Sequence, residues 1–155
     1  MSKELVLAEL SAQVGAEVHV GEWLTVTQAM IDQFAAVTRD EQWIHVDPVR
    51  AQAESPYGAT VAHGYLTLAL IPFLTDSVNP AVNRYPGKRM GVNYGLNKVR
   101  FPQPVVVGSR IRARTTLLAI EEVENGLQVV NRVTVDIEGQ TKPACVAETV
   151  SRVYF

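Results

Sequence analysis

The stretch Asp40-Glu41-Gln42-Trp43-Ile44-His45-Val46-Asp47-Pro48, followed by Ala62-His63-Gly64, governs the reading of this chain. It sets a carboxylate and an imidazole in a segment whose pattern fits neither helix nor strand. Residues five apart on a helix lie about 140° round the axis, so Asp40 and His45 would diverge there. On a strand, an odd spacing puts them on opposite faces. They converge only if the chain turns, and the polar run Arg39-Asp40-Glu41-Gln42 supplies the break. Trp43 and Ile44 then anchor the loop in the core while His45 points into a cleft. Such a pair holds one water between an acceptor and a tunable base, which is what general acid–base work requires. The plainer reading makes Asp40 a helix end and His45 a buried, satisfied ring. Asp47 reads as structural, because Asp-Pro is the expected cap and first turn of a short helix from Pro48 to about Ala53.

Beyond this stretch, the His63-Gly64 step opens the most apolar segment of the chain, Val61–Val78. Apolar residues occur nearly all round it, so the pattern predicts a helix buried on most faces. Pro72 removes one backbone hydrogen bond and kinks or ends that helix. The first charge in the segment is Asp76. The combination suggests a proton-transfer site facing a backbone amide.

Upstream, the alternation from His19 to Val26 reads as a strand. Thr27 is the expected N-cap of a helix carrying Ile31, Phe34, Ala35 and Thr38, with Thr25 and Gln28 as a possible capping box one turn earlier. Downstream, strand patterns run over Met90–Phe101, Arg110–Val123, Leu127–Ile137 and Ala144–Tyr154. Asn125-Gly126 is a strong hairpin signal. Two helices followed by an antiparallel sheet make an α+β arrangement in which the sheet wraps the buried helix. The edges of such a sheet invite a second copy.

Composition bounds the function. A chain of 155 residues is read as one domain over 1–155. Hydrophobic residues at 47% against 19% charged mark it as globular. A formal net charge of −2 disfavours a dedicated nucleic-acid binder, whose affinity would rest on clustered Lys and Arg. Cys145 is the sole cysteine, so it forms no intrachain disulfide, and its strand-like setting reads as core. His19, His45 and His63 do not form a metal-binding spacing. Glu4 and Glu9 interrupt the N-terminal apolar stretch, and no apolar run reaches a membrane-spanning length. The expected setting is cytoplasmic.

The Asp40–His45 segment with Asp47-Pro48, Ala62-His63-Gly64, and the later Asn93-Tyr94-Gly95-Leu96-Asn97-Lys98-Val99-Arg100-Phe101-Pro102 resembles the MaoC-like dehydratases, or (R)-specific enoyl-CoA hydratases. The similarity runs from about Trp23 to Val153 and is closest to a mycobacterial and nodulation-protein-N-like branch. The resemblance implies a single hot-dog fold, a long central helix wrapped by a curved antiparallel sheet, assembled as a homodimer. It implies hydration of a trans-2-enoyl-CoA to the (R)-3-hydroxyacyl-CoA, with an acyl-CoA substrate and no metal or redox cofactor. Carried over by position, Asp40 and His45 are the catalytic pair and the Gly64 N–H is the oxyanion donor. The chemistry agrees, since a first-turn helix N–H is unpaired and lies at a positive dipole end, and glycine admits close approach.

Arg39 and Gln42-Trp43 depart from the small residue and the Asn-Pro of many relatives, which touches substrate preference more than catalysis. Some relatives steady the Asp with a central-helix hydroxyl, for which Thr67 is the candidate here. His63 reads either as a substrate donor or as a packing or capping residue. Asn93, Tyr94 and Asn97 line an acyl channel or satisfy a bulged strand. Lys88, Arg89, Lys98 and Arg100 are either partners for CoA phosphates or solvated surface charges. Two other functions stay open: a hot-dog thioesterase, which needs a carboxylate near the central helix, and a non-catalytic subunit of a hot-dog heterodimer. Gly64–Thr75 carries no carboxylate, and Glu54 lies only in the preceding segment.

Overall fold

Four long stretches of alternating sequence in the second half form the greater part of one antiparallel sheet. The computed structural model describes residues 2–155. In chain order the elements are α1 (Lys3–Ser11), β1 (Glu17–Val20), β2 (Leu24–Thr25), α2 (Gln28–Thr38), α3 (Trp43–Val46) and α4 (Pro48–Glu54). Then follow α5 (Gly64–Ala69), α6 (Ile71–Leu74), β3 (Met90–Arg100), β4 (Arg110–Val123), β5 (Gly126–Ile137) and β6 (Cys145–Tyr154). The strands lie in the order β1-β4-β5-β6-β3, with β2 pairing β4.

The alternation that begins at Arg110 sends Ile111, Ala113, Thr115 and Leu117 inward, all at 2% exposure or less. Asn125 takes the left-handed conformation (φ 60°) that a tight β4–β5 hairpin needs, which Asn tolerates better than most residues. Opposite faces carry the polar partners. Arg114 grips Asp136 on the paired strand with two hydrogen bonds of 2.6 and 3.2 Å, and reaches Glu17 on β1.

On the concave face, Leu66, Ile71 and Leu74 pack into one cluster with Ile111, Val135, Ile137, Cys145 and Ala147. This is the α+β hot-dog fold expected from the sequence: a helical segment held in the curve of an antiparallel sheet. The helix is shorter than its apolar pattern suggests. Val61 and Ala62 are extended, with Val61 bridged to Val106, and helix begins only at Gly64. It breaks at Leu70, and Pro72 sits in the first turn of α6, where its missing N–H costs nothing. Nor is every face buried, since Tyr65 and Phe73 are 70% and 58% exposed. An all-round apolar pattern records every surface a helix covers, including one left open in a single chain.

Other elements differ from the sequence reading. The segment from His19 to Val26 is two short strands separated at Gly21, whose Cβ position is filled by the Leu74 carbonyl. The segment Trp43–Val46 is one helical turn rather than irregular chain. Helix α1 carries no strong apolar face, which is why periodicity missed it; Ser2 caps it and Val6 anchors it. No helix among the described residues is long and apolar enough to cross a membrane.

Thr27 caps α2 through the Met30 N–H, as expected. The Asp47-Pro48 reading holds as well, with the Arg50 N–H donating to Asp47 Oδ1 at 3.0 Å and Pro48 opening α4. Asp47→Ala is therefore expected to lower stability by about 0.5–2 kcal/mol in chemical denaturation. If the variant instead keeps full stability but loses activity, Asp47 is the functional carboxylate.

Candidate active site

Helix α2 ends at Arg39, which adopts a left-handed conformation (φ 65°) and turns the chain sharply. Asp40 follows in an exposed position, its N–H held by Thr38 Oγ1 at 3.4 Å. One turn of helix then carries His45 into the core, where the residue is 8% exposed. The left-handed cap at Arg39 aims Asp40 away from α2, and the short helix α3 makes the turn between Asp40 and His45.

Two backbone carbonyls fix the histidine rings. His45 Nδ1 lies 2.6 Å from the Val61 carbonyl, and a carbonyl only accepts, so Nδ1 carries the proton. Its Nε2 therefore presents a lone pair. His63 Nε2 likewise donates to the Asp40 carbonyl at 2.9 Å, tying the loop to the start of α5. His63 makes no side-chain cap to its own helix, but it packs as the sequence reading allowed, and its bond to the Asp40 carbonyl is the part that reading did not name. The two rings stack at 3.8 Å between centroids with 25° between planes, and Phe34 packs against His63 at 5.0 Å. Asp40, His45 and His63 each offer a ligand-type atom within 4.8 Å of the others.

Burial is the main force on His45 and depresses its proton affinity; the Val61 bond opposes this, neighbouring His63 adds to it, and Asp40 opposes it. The ring is thereby kept neutral and available as a base.

Gln28 was missed by the sequence reading. Its Nε2 donates to the His45 carbonyl at 2.7 Å and to Asp32 at 2.8 Å, while its Oε1 accepts from Thr60. The side chain clamps α2, α3 and the strand-like approach to α5. Placed as N1 of a helix, it carried only a capping signal, and contacts across 17 and 32 residues leave no mark on local pattern.

Gly64 opens α5, and the first-turn N–H groups of Leu66 and Thr67 turn back to the His63 carbonyl. The Gly64 N–H has no such acceptor available within its helix. A helix of six residues adds little dipole, so the free donor is the operative feature. The need for glycine also has a local cause: a Cβ here would meet the Phe101 ring at 3.1 Å. Thr67 is buried but makes no hydrogen bond to Asp40 among the described residues. Asn97 bonds Glu148, and Tyr94 stacks under Arg152 at 3.6 Å, so both serve the sheet. Lys88, Arg89, Lys98 and Arg100 are solvent-exposed. Cys145 is buried, and its thiol is pushed up to about 11 by burial, far from a thiolate nucleophile.

Comparison with known proteins shows what the chain resembles. The family model described as MaoC like domain matches residues 9–138. The 3-hydroxyacyl-thioester dehydratase Z of Mycobacterium tuberculosis is 48% identical over 147 residues, covering 94% of each chain. Nodulation protein N of Rhizobium leguminosarum is 42% identical over 153 residues, 98% of this chain and 93% of that one. Among solved structures, the unliganded R-hydratase of Pseudomonas aeruginosa superposes with a TM-score of 0.67 at 22% identity, over 91% of this chain and 81% of that one.

Both His45 and His19 bind protons less readily than the ordinary value of 6.5, with burial the leading cause in each. The unfolded chain takes up protons on these rings near pH 6.5, whereas the folded chain does so only at lower pH. Stability should hold steady above about pH 7, fall as pH drops below about 6.5, and level off once the folded rings protonate. Urea unfolding midpoints across this range check it. His45→Asn, which keeps a donor for Val61, should flatten the fall; an undiminished slope contradicts the burial argument.

Proposed function

The chain belongs to the MaoC-like dehydratase family, and from that premise we propose that it is a hydro-lyase adding water across the double bond of a trans-2-enoyl-CoA to give the (R)-3-hydroxyacyl-CoA. The observation that carries this reading is the convergence of the Asp40 carboxylate and the His45 ring, beside the Gly64 N–H. The names of the mycobacterial dehydratase and the R-hydratase support the same reaction class.

In this scheme Asp40 accepts a hydrogen bond from the water and orients it, and His45 Nε2 takes its proton as the oxygen attacks C3. The electron pair of the double bond moves through C2 onto the thioester oxygen, which the Gly64 N–H stabilises. His45 then returns a proton to C2 on the same face, so one water is added and both residues end as they began. The scheme consists of proton transfers and one backbone donor and calls on no metal or redox group. An oxyanion donor of this kind contributes on the order of 10²–10³ in turnover. A thioesterase would need a carboxylate on or near the central helix to activate water, besides Asp40, which already converges with His45. α5 and α6 carry none, and Glu54 is engaged by Arg50 at 2.9 Å.

The active form is proposed to be a homodimer. β3 forms one edge of the sheet, eleven residues long, with Met90, Tyr94 and Leu96 exposed along it. A free edge carrying apolar side chains is a template for a second copy. Exposed Tyr65, against Phe101 at 6.0 Å, extends the same surface towards the site.

Two measurements test these readings. Absorbance of the conjugated enoyl thioester in crotonyl-CoA should fall with formation of (R)-3-hydroxybutyryl-CoA and no free thiol. His45→Ala should reduce turnover by about 10²–10⁴ while circular dichroism stays unchanged; a folded variant of near-normal activity removes His45 from the mechanism. Light scattering after gel filtration should give twice the chain mass, with Leu96→Glu shifting it towards the monomer. A wild-type chain that is monomeric at micromolar concentration contradicts the dimer.

A further inference from the structure

The concave face of the sheet is not apolar along its whole length. One apolar cluster gathers around Ile111, Val135 and Ala147, and a second around Leu117, Val129 and Val153. Between them Thr115, Asn131, Thr149, Ser151 and Asn93 form a polar belt across β4, β5, β6 and β3. The register joins it across β5, β6 and β3, with Asn131 opposite Thr149 and Ser151 opposite Asn93, while Thr115 on β4 lies opposite Val133, two residues along from Asn131. All five residues line a cavity of about 230 Å³. Inward positions of a sheet are ordinarily apolar, so a belt of this kind needs a reason. The Thr115 hydroxyl makes the point most sharply, being buried at 2% exposure with no hydrogen-bond partner. A valine of the same shape would fill its place without that cost.

The facing wall comes from α6 and the turn after it, including Pro72, Thr75, Asp76 and Arg84. Two of its charged side chains already have contacts. Asp76, held in a left-handed conformation (φ 56°), lies 2.9 Å from His19 Nε2, and Arg84 donates to the Thr75 carbonyl at 2.6 Å. The sheet side of the cavity is neutral, hydroxyls and two amides, while the exposed Lys88 also lines it. A neighbouring cavity of about 200 Å³ beneath α1 shares Arg84, Tyr85 and Asn131 with the first, so the polar belt is its boundary too. The central helical segment links this region to the site. Gly64 stands at its start and Pro72 eight residues on, roughly 12 Å by helical rise.

We propose that this cavity is a subsite for a neutral, oxygen-bearing segment of the acyl chain, a hydroxyl or keto group held by the belt while the thioester sits at Gly64. The identity of the ligand as an acyl thioester rests on the hydratase reading; the polar character of the subsite does not. A plain alkyl chain would cover the belt without pairing it.

The test is calorimetric binding of saturated acyl-CoA thioesters to the intact protein, in pairs of equal length, one plain and one hydroxylated, with the hydroxyl moved along the chain. At the position that reaches the belt, the hydroxylated member should bind about tenfold more tightly, the scale of one net hydrogen bond. Thr115→Val should abolish that gain while leaving crotonyl-CoA hydration unchanged; a hydroxyl with only a structural role would alter stability and leave the selectivity intact. Ser151→Ala, at a half-buried position, serves the same purpose should Thr115→Val fold poorly. Equal or weaker binding of the hydroxylated member at every position overturns the proposal, whatever the hydration assay gives. A preserved binding preference without crotonyl-CoA hydration supports the subsite and contradicts the hydratase reading.

Discussion

Two histidine-to-carbonyl hydrogen bonds hold the site together. His45 donates to Val61 and His63 donates to Asp40, so each ring secures a stretch of backbone that no regular element holds. The first bond leaves the His45 Nε2 lone pair free as a base. The second ties the exposed Asp40 loop to the residue just before Gly64. Base, acceptor and oxyanion donor are thereby referred to one rigid point, the start of α5. Removing either bond would release a buried ring nitrogen and a carbonyl together, which costs more than a typical surface contact.

The hot-dog scaffold makes this possible by keeping that point fixed. Leu66, Ile71 and Leu74 lock the helical segment into the curve of the sheet, and Phe101 packs so closely on Gly64 that any side chain there would displace it. Gln28 braces the same region from α2. The low proton affinity of His45 follows from this burial, so the fold that positions the base also keeps it unprotonated. Exposed Tyr65 directly follows Gly64, so the proposed dimer contact along β3 and Tyr65 lies near the chemistry rather than remote from it.

Much of this was legible in the sequence where a local rule applied. Alternation located β4, the Asn125 turn located the hairpin, and Asp47-Pro48 located a capped helix. The family was read from Asp40–His45 and the His63-Gly64 step. What local rules do not carry was read less well. The apolar run Val61–Val78 reads as a helix buried on most faces and broken at Pro72, because periodicity does not distinguish a covered face from one left open in a single chain. Helix α1 lacks the amphipathic signal on which such detection rests. The roles of Gln28 and His63 were hidden for a different reason: both act on carbonyls far away in sequence, and no spacing encodes a carbonyl's direction.

The account turns on His45 being held with its proton on Nδ1 and its lone pair on Nε2. Long-range proton–nitrogen NMR of the His45 ring near neutral pH measures this directly. The account predicts a pyrrole-type nitrogen at Nδ1 and a pyridine-type nitrogen at Nε2, persisting below the pH at which an ordinary histidine protonates. A ring found with its proton on Nε2, or already doubly protonated near neutrality, would contradict it.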